Sequence, residues 1–221
     1  MSQLVIFGVS NILSDLFDCA LANGLTLGKI VIHQAEQVGE RDLALSERLA
    51  ALSRICTPPE VIEFDAFVPQ DGDLYLLGPT TPTRASMVQQ LQQRHQIKFH
   101  TLIHPSSYVS PLATMAEGVF VGAKSVIGPG VHLGPHVFVN RGVSIGHDTH
   151  IGAYSRIQPG SNLGGLSRIG QGVTVAIGAT VLERLVVGDG AFIAAGAVVL
   201  ADVAANVLVA GVPAKVKKQL A

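Results

Sequence analysis

The sequence predicts a mixed fold, an α/β unit on a small parallel sheet followed by a parallel β-solenoid. Three observations predict it. Residues 1–102 alternate short apolar runs with segments of helical period, the pattern of βαβ units. Beginning at Val109, an aliphatic residue or Met recurs at every sixth position. The chain has 221 residues, enough for two domains with separate cores.

In the first part, residues 4–7 are a strand-like apolar run ended by Gly8. Ser14, Leu16, Phe17, Ala20 and Leu21 then recur at helical spacing until Asn23 and Gly24 stop them. Residues 30–32 read as a second strand and 42–53 as a second helix. Thr57-Pro58-Pro59 breaks the pattern before a strand at 61–64. Residues 73–77, closed by Gly78, form a buried-strand run. Residues 83–95 follow as a helix with Ala85, Val88 and Leu91 on one side, and 97–99 return to strand. The alternation is Rossmann-like, and in such sheets the ligand crevice lies at the carboxyl ends of the strands, here near Gly8 and Gly78.

In the second part, the six-residue column runs from Val109 to Val199, and all sixteen positions are aliphatic or Met. At 48% hydrophobic residues, chance would give such a run with a probability on the order of 10⁻⁵. Four residues after each column position stands a small or β-branched residue in fifteen of the sixteen cases, Leu185 being the exception. Glycine directly follows the column residue at 122, 128, 134, 146, 152, 164, 170 and 188. We read each hexad as a short strand with one inward aliphatic, then a tight corner where glycine relaxes the backbone. One such side cannot bury its aliphatic alone, so coils must stack column upon column into a continuous core. The register has no insertion, so no loop is extruded from the solenoid.

Composition removes several function classes. Fifteen Lys and Arg balance sixteen Asp and Glu, leaving a formal charge of −1, without the basic surplus that phosphate-backbone binding needs. Mean hydropathy is +0.43. Yet the most apolar stretch is the twelve residues between Asp189 and Asp202, short of the ~18 to 20 that span a bilayer. The N-terminus carries neither a basic n-region nor a cleavage site, and Cys19 and Cys56 are too few for a disulfide framework. A soluble protein of a reducing cytoplasm is the expectation.

The hexad pattern resembles the hexapeptide-repeat family, whose left-handed parallel β-helix takes three hexads per triangular coil. By that resemblance sixteen hexads make about five coils, roughly 25 Å at ~4.8 Å between neighbouring strands. The stretch Val139-Asn140-Arg141-Gly142-Val143-Ser144-Ile145-Gly146-His147-Asp148 is similar to the active-site coil of the nucleotide-sugar and sialic-acid acetyltransferases of bacterial surface-glycan synthesis. The likeness extends to the junction Leu102-Ile103-His104-Pro105-Ser106-Ser107 and to the ending Gly211-Val212-Pro213-Ala214-Lys215. It implies a substrate-binding domain over 1–102, a left-handed β-helix acetyltransferase domain over 103–204 and a C-terminal cap over 205–221. Acetyl-CoA would be the co-substrate, with no metal, in a homotrimer acting on a hydroxyl or amine of a sugar or nucleotide-sugar.

Residue roles follow from the same resemblance. His147 matches a general base, and an imidazole can take the acceptor's proton at neutral pH as the acceptor attacks the thioester. Asp148 matches the acid that raises its basicity. Adjacent residues of a regular strand face opposite ways, so Asp148 serves His147 only if the corner bends it back. Gly165, eighteen residues on, leaves a gap beside the base where a thioester could lie, or else serves a corner. Arg156, Ile177, Ala195 and Gly196 match pantetheine contacts, although Arg156 replaces the His often found there. Lys215, Lys217 and Lys218 either reach CoA phosphates or form a solvated terminal helix. Gly8, Ser10, Gly78 and Asn140 are the acceptor-binding candidates, with Arg84 in the helix after Gly78. The first turn, Gly8-Val9-Ser10-Asn11-Ile12-Leu13, keeps one glycine, and His33-Gln34-Ala35-Glu36 stands where an acidic pair is usual. The acceptor therefore stays open.

Two other readings remain. A non-catalytic binding or scaffold protein would have the same solenoid with a degenerate first domain. A γ-carbonic-anhydrase-like site would hold zinc by three His across a trimer interface, drawing on His132 and His150, eighteen apart in one column, with His136 nearby. That family's trio includes two His five residues apart, a spacing absent from this solenoid. His104, beside Pro105, reads as structural.

Overall fold

A computed structural model describes residues 2–220, and every count of elements is made among the described residues. The chain divides into two compact units after His100. No described helix is long and apolar enough to cross a membrane.

The first unit comprises β1 (Gln3–Phe7), α1 (Leu13–Ala22), β2 (Thr26–Ile32), α2 (Leu45–Leu52), β3 (Glu60–Glu63), β4 (Leu74–Leu77) and α3 (Ala85–His95). Its strands form one parallel sheet in the order β3-β2-β1-β4. β1 lies inside the sheet with Leu4, Val5, Ile6 and Phe7 no more than 1% exposed. That explains why it reads as an unbroken apolar run, since an inner parallel strand is covered on both faces. α1 turns Leu13, Leu16, Phe17, Cys19 and Ala20 inward.

Three elements differ from the sequence pattern, the first being β2, which begins at Thr26 and not at residue 30. α2 starts at Leu45, not at Asp42. The Asp42 carboxylate instead accepts the Gly39 N–H at 3.0 Å and the Asn11 side-chain amide at 2.7 Å. Glu36 takes over the helix end, accepting the Leu45 N–H at 2.9 Å, where a carboxylate also meets the positive end of the helix dipole. Residues 97–99 are not a strand: only Phe99 bridges, to Tyr75, after a left-handed Gln96 at φ +51°.

The second unit is a left-handed β-helix. Seventeen two-residue strands, from β5 (Leu102–Ile103) to β21 (Val198–Val199), fall in turn into three parallel sheets. Partners lie eighteen residues apart, as in Phe138 with Arg156, Ser144 with Asn162 and His132 with His150, so three hexads close one coil. The first rung, Leu102–Ile103, pairs with Phe120–Val121, one hexad before Val109, and the solenoid opens at 102 where the sequence reading put it at 103. From Val121 to Val199 the column residues are no more than 3% exposed, the continuous core that stacking requires.

The corners are made differently from the prediction. The left-handed residue is the third after each column position, with φ from +55° to +69° in fourteen successive hexads between Gly118 and Gly196. Only eight of these are glycine; Lys124, His136, Asp148, Tyr154, Leu166 and Arg184 adopt the same conformation. The glycines directly after the column residues serve a different need. A Cβ on any of them would stand no more than 3.0 Å from backbone of the next coil, so they permit close stacking.

The C-terminal segment is a hairpin. β22 (Val207–Ala210) continues the eight-stranded sheet, and β23 (Lys215–Gln219) pairs antiparallel with it. The terminal helix considered for Lys215, Lys217 and Lys218 is therefore an exposed strand, whose lysines also discourage edge-to-edge pairing.

Candidate active site

His147 and Asp148 occupy the corner between strand Ser144–Ile145 of the six-stranded sheet and strand His150–Ile151 of the five-stranded sheet. The corner is tied to both neighbouring coils. The Asp148 N–H donates to the Pro129 carbonyl at 2.9 Å, and the Leu166 N–H donates to the His147 carbonyl at 2.8 Å. Asp148 is the left-handed residue, at φ +55°. This removes the alternation that would send its side chain to the opposite face, and its Oδ2 reaches His147 Nδ1 at 2.8 Å. An ionised carboxylate only accepts hydrogen bonds, so in the neutral ring Nδ1 carries the proton and Nε2 keeps its lone pair. The two side chains are 58% and 56% exposed, open to a substrate.

Gly165 lies directly against this pair. A Cβ there would stand 2.8 Å from His147 Nε2, 2.9 Å from Cδ2 and 3.1 Å from Cε1. The space above Gly165 is taken by the imidazole itself.

The other donor-site candidates sit elsewhere on the solenoid. Ile177, Ala195 and Gly196 lie on the corner leading from the eight-stranded to the six-stranded sheet, as does Asn140. Within one chain they do not meet His147. Ile177 is 61% exposed. Asn140 is buried, its amide donating to Gln158 Oε1 at 3.2 Å and its oxygen accepting the Arg141 N–H at 2.8 Å. Arg156 projects from the eight-stranded sheet, half-buried, with Nε donating to Thr174 Oγ1 at 3.0 Å. Burial lowers its guanidinium pKa from the ordinary value, without removing the charge at neutral pH.

In the first unit, Ser10 donates its hydroxyl to the Gly78 carbonyl at 2.7 Å. Gly78 packs so tightly on the end of β1 that a Cβ would overlap the Gly8 carbonyl oxygen. The cleft opens on the other side, toward the end of β2, with a volume of about 790 Å³. Ser10 lines it; Gly8 and Gly78 do not. Asn11, His33, Glu36 and Asp42 line it as well; the sequence marks the first three only as departures from the nucleotide-binding pattern, and Asp42 not at all. The available signal was the stretch between β2 and α2, since an irregular connection of that length in a compact domain is usually functional.

The histidine trio separates. His132 and His150 do lie in one column, their rings tilted by 42° with centroids 5.8 Å apart, and Thr114 Oγ1 lies 2.8 Å from His132 Nδ1. His136 sits at the following corner, 2% exposed, its ring stacked on Tyr154 at 5.2 Å. Among the described residues no three His, Cys, Asp or Glu side chains gather in a group that could hold a metal ion.

Residues 130–165 match the family described as bacterial transferase hexapeptide (six repeats). No curated protein matches the chain. Among solved structures, the acetyltransferase domain of PglB from Neisseria gonorrhoeae, in complex with acetyl coenzyme A, is 27% identical at a TM-score of 0.80. The alignment covers 97% of this chain and 98% of that one. A second structure of the same domain aligns at 26% identity and a TM-score of 0.82, over 98% and 100% of the two chains. A mutant GDP-perosamine N-acetyl transferase from Caulobacter crescentus, in complex with CoA and GDP-perosamine, shares the fold at a TM-score of 0.84. It is 24% identical, over 99% of this chain and 98% of that one. A stretch of the second unit thus matches the bacterial transferase hexapeptide family, and over nearly its whole length the chain shares the fold of the PglB acetyltransferase domain.

Proposed function

We propose that the protein is an acetyl-CoA-dependent acetyltransferase acting on an amine or hydroxyl of a sugar or nucleotide-sugar, with His147 as general base. The observation that carries this reading is the corner geometry: Asp148 holds Nδ1 at 2.8 Å, and the basic Nε2 belongs to a side chain 58% exposed. The PglB domain, solved with acetyl coenzyme A and similar over nearly the full chain, supports the choice of donor.

In the reaction, the acceptor's oxygen or nitrogen forms a bond to the thioester carbonyl carbon while His147 Nε2 takes its proton. Asp148 stabilises the imidazolium and fixes the ring tautomer, as the carboxylate partner of a catalytic His does elsewhere. Backbone N–H groups stabilise the oxyanion. The carbon–sulfur bond then breaks, the acetyl group stays on the acceptor, and CoA leaves as a thiolate that takes up a proton. No acyl-enzyme is needed.

The two-corner arrangement favours a homotrimer in which the His147 corner of one copy faces the Ile177, Ala195 and Gly196 corner of the next, the pantetheine arm running between them. Lys215, Lys217 and Lys218 then offer point charges to the CoA phosphates. The cleft beside Ser10 is the acceptor site of the first unit. A nucleotide-sugar acceptor is favoured by the Caulobacter enzyme's complex with GDP-perosamine. A cytoplasmic setting fits the two free cysteines.

Acetyl-CoA should stabilise the purified protein against thermal unfolding, by about 2.7 kcal/mol at a hundredfold excess over Kd. Thiol release should then identify the acceptor from a panel of amino sugars, sialic acids and nucleotide-linked sugars. His147→Ala should keep the acetyl-CoA stabilisation and lose about 10²- to 10⁴-fold in turnover. Full turnover of that variant removes the base assignment. Absence of any acetyl-CoA effect at millimolar concentration removes the enzyme reading and favours a scaffold.

A further inference from the structure

We propose that Gly130, one coil before the His147 corner, is a positioning residue for the base, acting through Asp148; the inference rests on the reading of His147 above. Gly130, Asp148, Leu166 and Arg184 are the turning residues of one corner on four successive coils, at φ +69°, +55°, +62° and +64°. Three of them carry side chains at that φ, so the turn itself does not demand glycine at 130. Space does. A Cβ on Gly130 would overlap Asp148 Oδ1 and stand 3.1 Å from its Cγ. Gly160 turns another corner at the same φ of +69° and has nothing within 4 Å of a Cβ.

The carboxylate is therefore shared between two places. Oδ1 lies in the volume left by the missing side chain of Gly130, and Oδ2 lies on His147 Nδ1 at 2.8 Å. The group is planar and rigid, so both oxygens move together. A methyl group at 130 expels Oδ1, turns the carboxylate and takes Oδ2 off the ring. Without that acceptor nothing fixes the proton on Nδ1, and the base loses the tautomer in which Nε2 faces the acceptor. A second histidine shows that the clearance is a general device of this fold. A Cβ on Gly118 would overlap the ring of His136, eighteen residues on. What gives Gly130 its role is that the group it accommodates is bonded to His147.

The test uses the full chain labelled with ¹⁵N-histidine, His147 being assigned by its loss in His147→Ala. Wild type and Gly160→Ala should show the Nδ1–H tautomer for His147; Gly130→Ala and Asp148→Ala should lose it. In acetyl transfer, Gly130→Ala should lower kcat about tenfold to a hundredfold, with the KM for acetyl-CoA changed less than twofold. The added effect of Gly130→Ala should vanish in an Asp148→Ala background. A retained tautomer in Gly130→Ala overturns the proposal, and so does an equal fall in kcat with or without the Asp148 carboxylate. Should Gly130→Ala fail to fold, recovery in the Gly130→Ala/Asp148→Ala double variant supports the clash, and continued failure overturns it. The tautomer is read without any transfer reaction, whereas full activity of His147→Ala defeats the functional reading alone.

Discussion

Replacing Gly165 by alanine separates two roles for that residue, a passage for the thioester and a bed for the imidazole. Gly165 is not among the left-handed glycines, so an alanine there brings no backbone strain, and its cost lies in contacts. The new Cβ would approach three atoms of the His147 ring at 2.8, 2.9 and 3.1 Å. Ordinary carbon contacts sit at about 3.5 to 4.0 Å, so the ring must move by roughly 0.7 Å or more. A misplacement of about 1 Å in a reacting group lowers rate about a hundredfold, equivalent to about 2.7 kcal/mol of transition-state stabilisation. Stability should barely change, within ~0.5 kcal/mol, because a ring 58% exposed swings into water. Thiol release should show the fall in kcat, and urea unfolding should show an unmoved midpoint. An unchanged kcat with a raised KM for acetyl-CoA would refute this reasoning, since that pattern marks lost ground-state binding and returns Gly165 to the thioester.

The scaffold that holds the corner makes its own predictions. Ser155 Oγ donates to the Gly170 carbonyl at 2.7 Å and accepts the buried Val173 N–H at 2.9 Å. Ser155→Ala orphans both groups and should cost about 2 to 3 kcal/mol. Ser161, which donates to the Ala176 carbonyl at 2.9 Å, should cost about 1 kcal/mol as alanine, and urea midpoints compare the two. Burial lowers the pKa of His100 from 6.5, so the unfolded chain binds that proton at a higher pH than the fold does. Stability is then full above about 6.5, falls as pH drops through that value and levels off below the folded value. Between pH 7.5 and 5 the wild type should lose more stability than His100→Gln, and equal losses would remove His100 as the cause.

The period of the solenoid was legible because every rung needs one inward aliphatic, and that demand repeats whatever else changes. The turning residue was not. Lys124, His136, Tyr154 and Leu166 hold it in some hexads and glycine in others, so no single residue type marks it. His147 stood out as a polar exception in the resembling coil, but strand alternation argued against Asp148, and only its φ of +55° reverses that argument. The cleft of the first unit was legible at Ser10 but not on its far wall, because the residues between β2 and α2 follow no period and are fixed by side-chain bonds, such as Asn11 to Asp42. β23 was ambiguous because five residues, Lys215–Gln219, are too few for a period of 2 to be told from one of 3.6.

In a solenoid the neighbours that define a site are eighteen residues away, so a motif read along the chain is incomplete. The His147 and Asp148 pair needs an empty place on the coil before, at Gly130, and one on the coil after, at Gly165. The corner at Glu183 and Arg184 has the same left-handed turn, φ +64° at Arg184, but Leu166 precedes Arg184 in its column where Gly130 precedes Asp148. Installing Glu183→His with Arg184→Asp should therefore give a histidine without a fixed Nδ1–H tautomer, because the new carboxylate meets a side chain. Adding Leu166→Gly together with Ala201→Gly, the counterpart of Gly165, should restore room for the pair and raise the share of that tautomer. If the transplanted pair locks with Leu166 in place, the empty position is dispensable and the corner conformation alone builds the dyad.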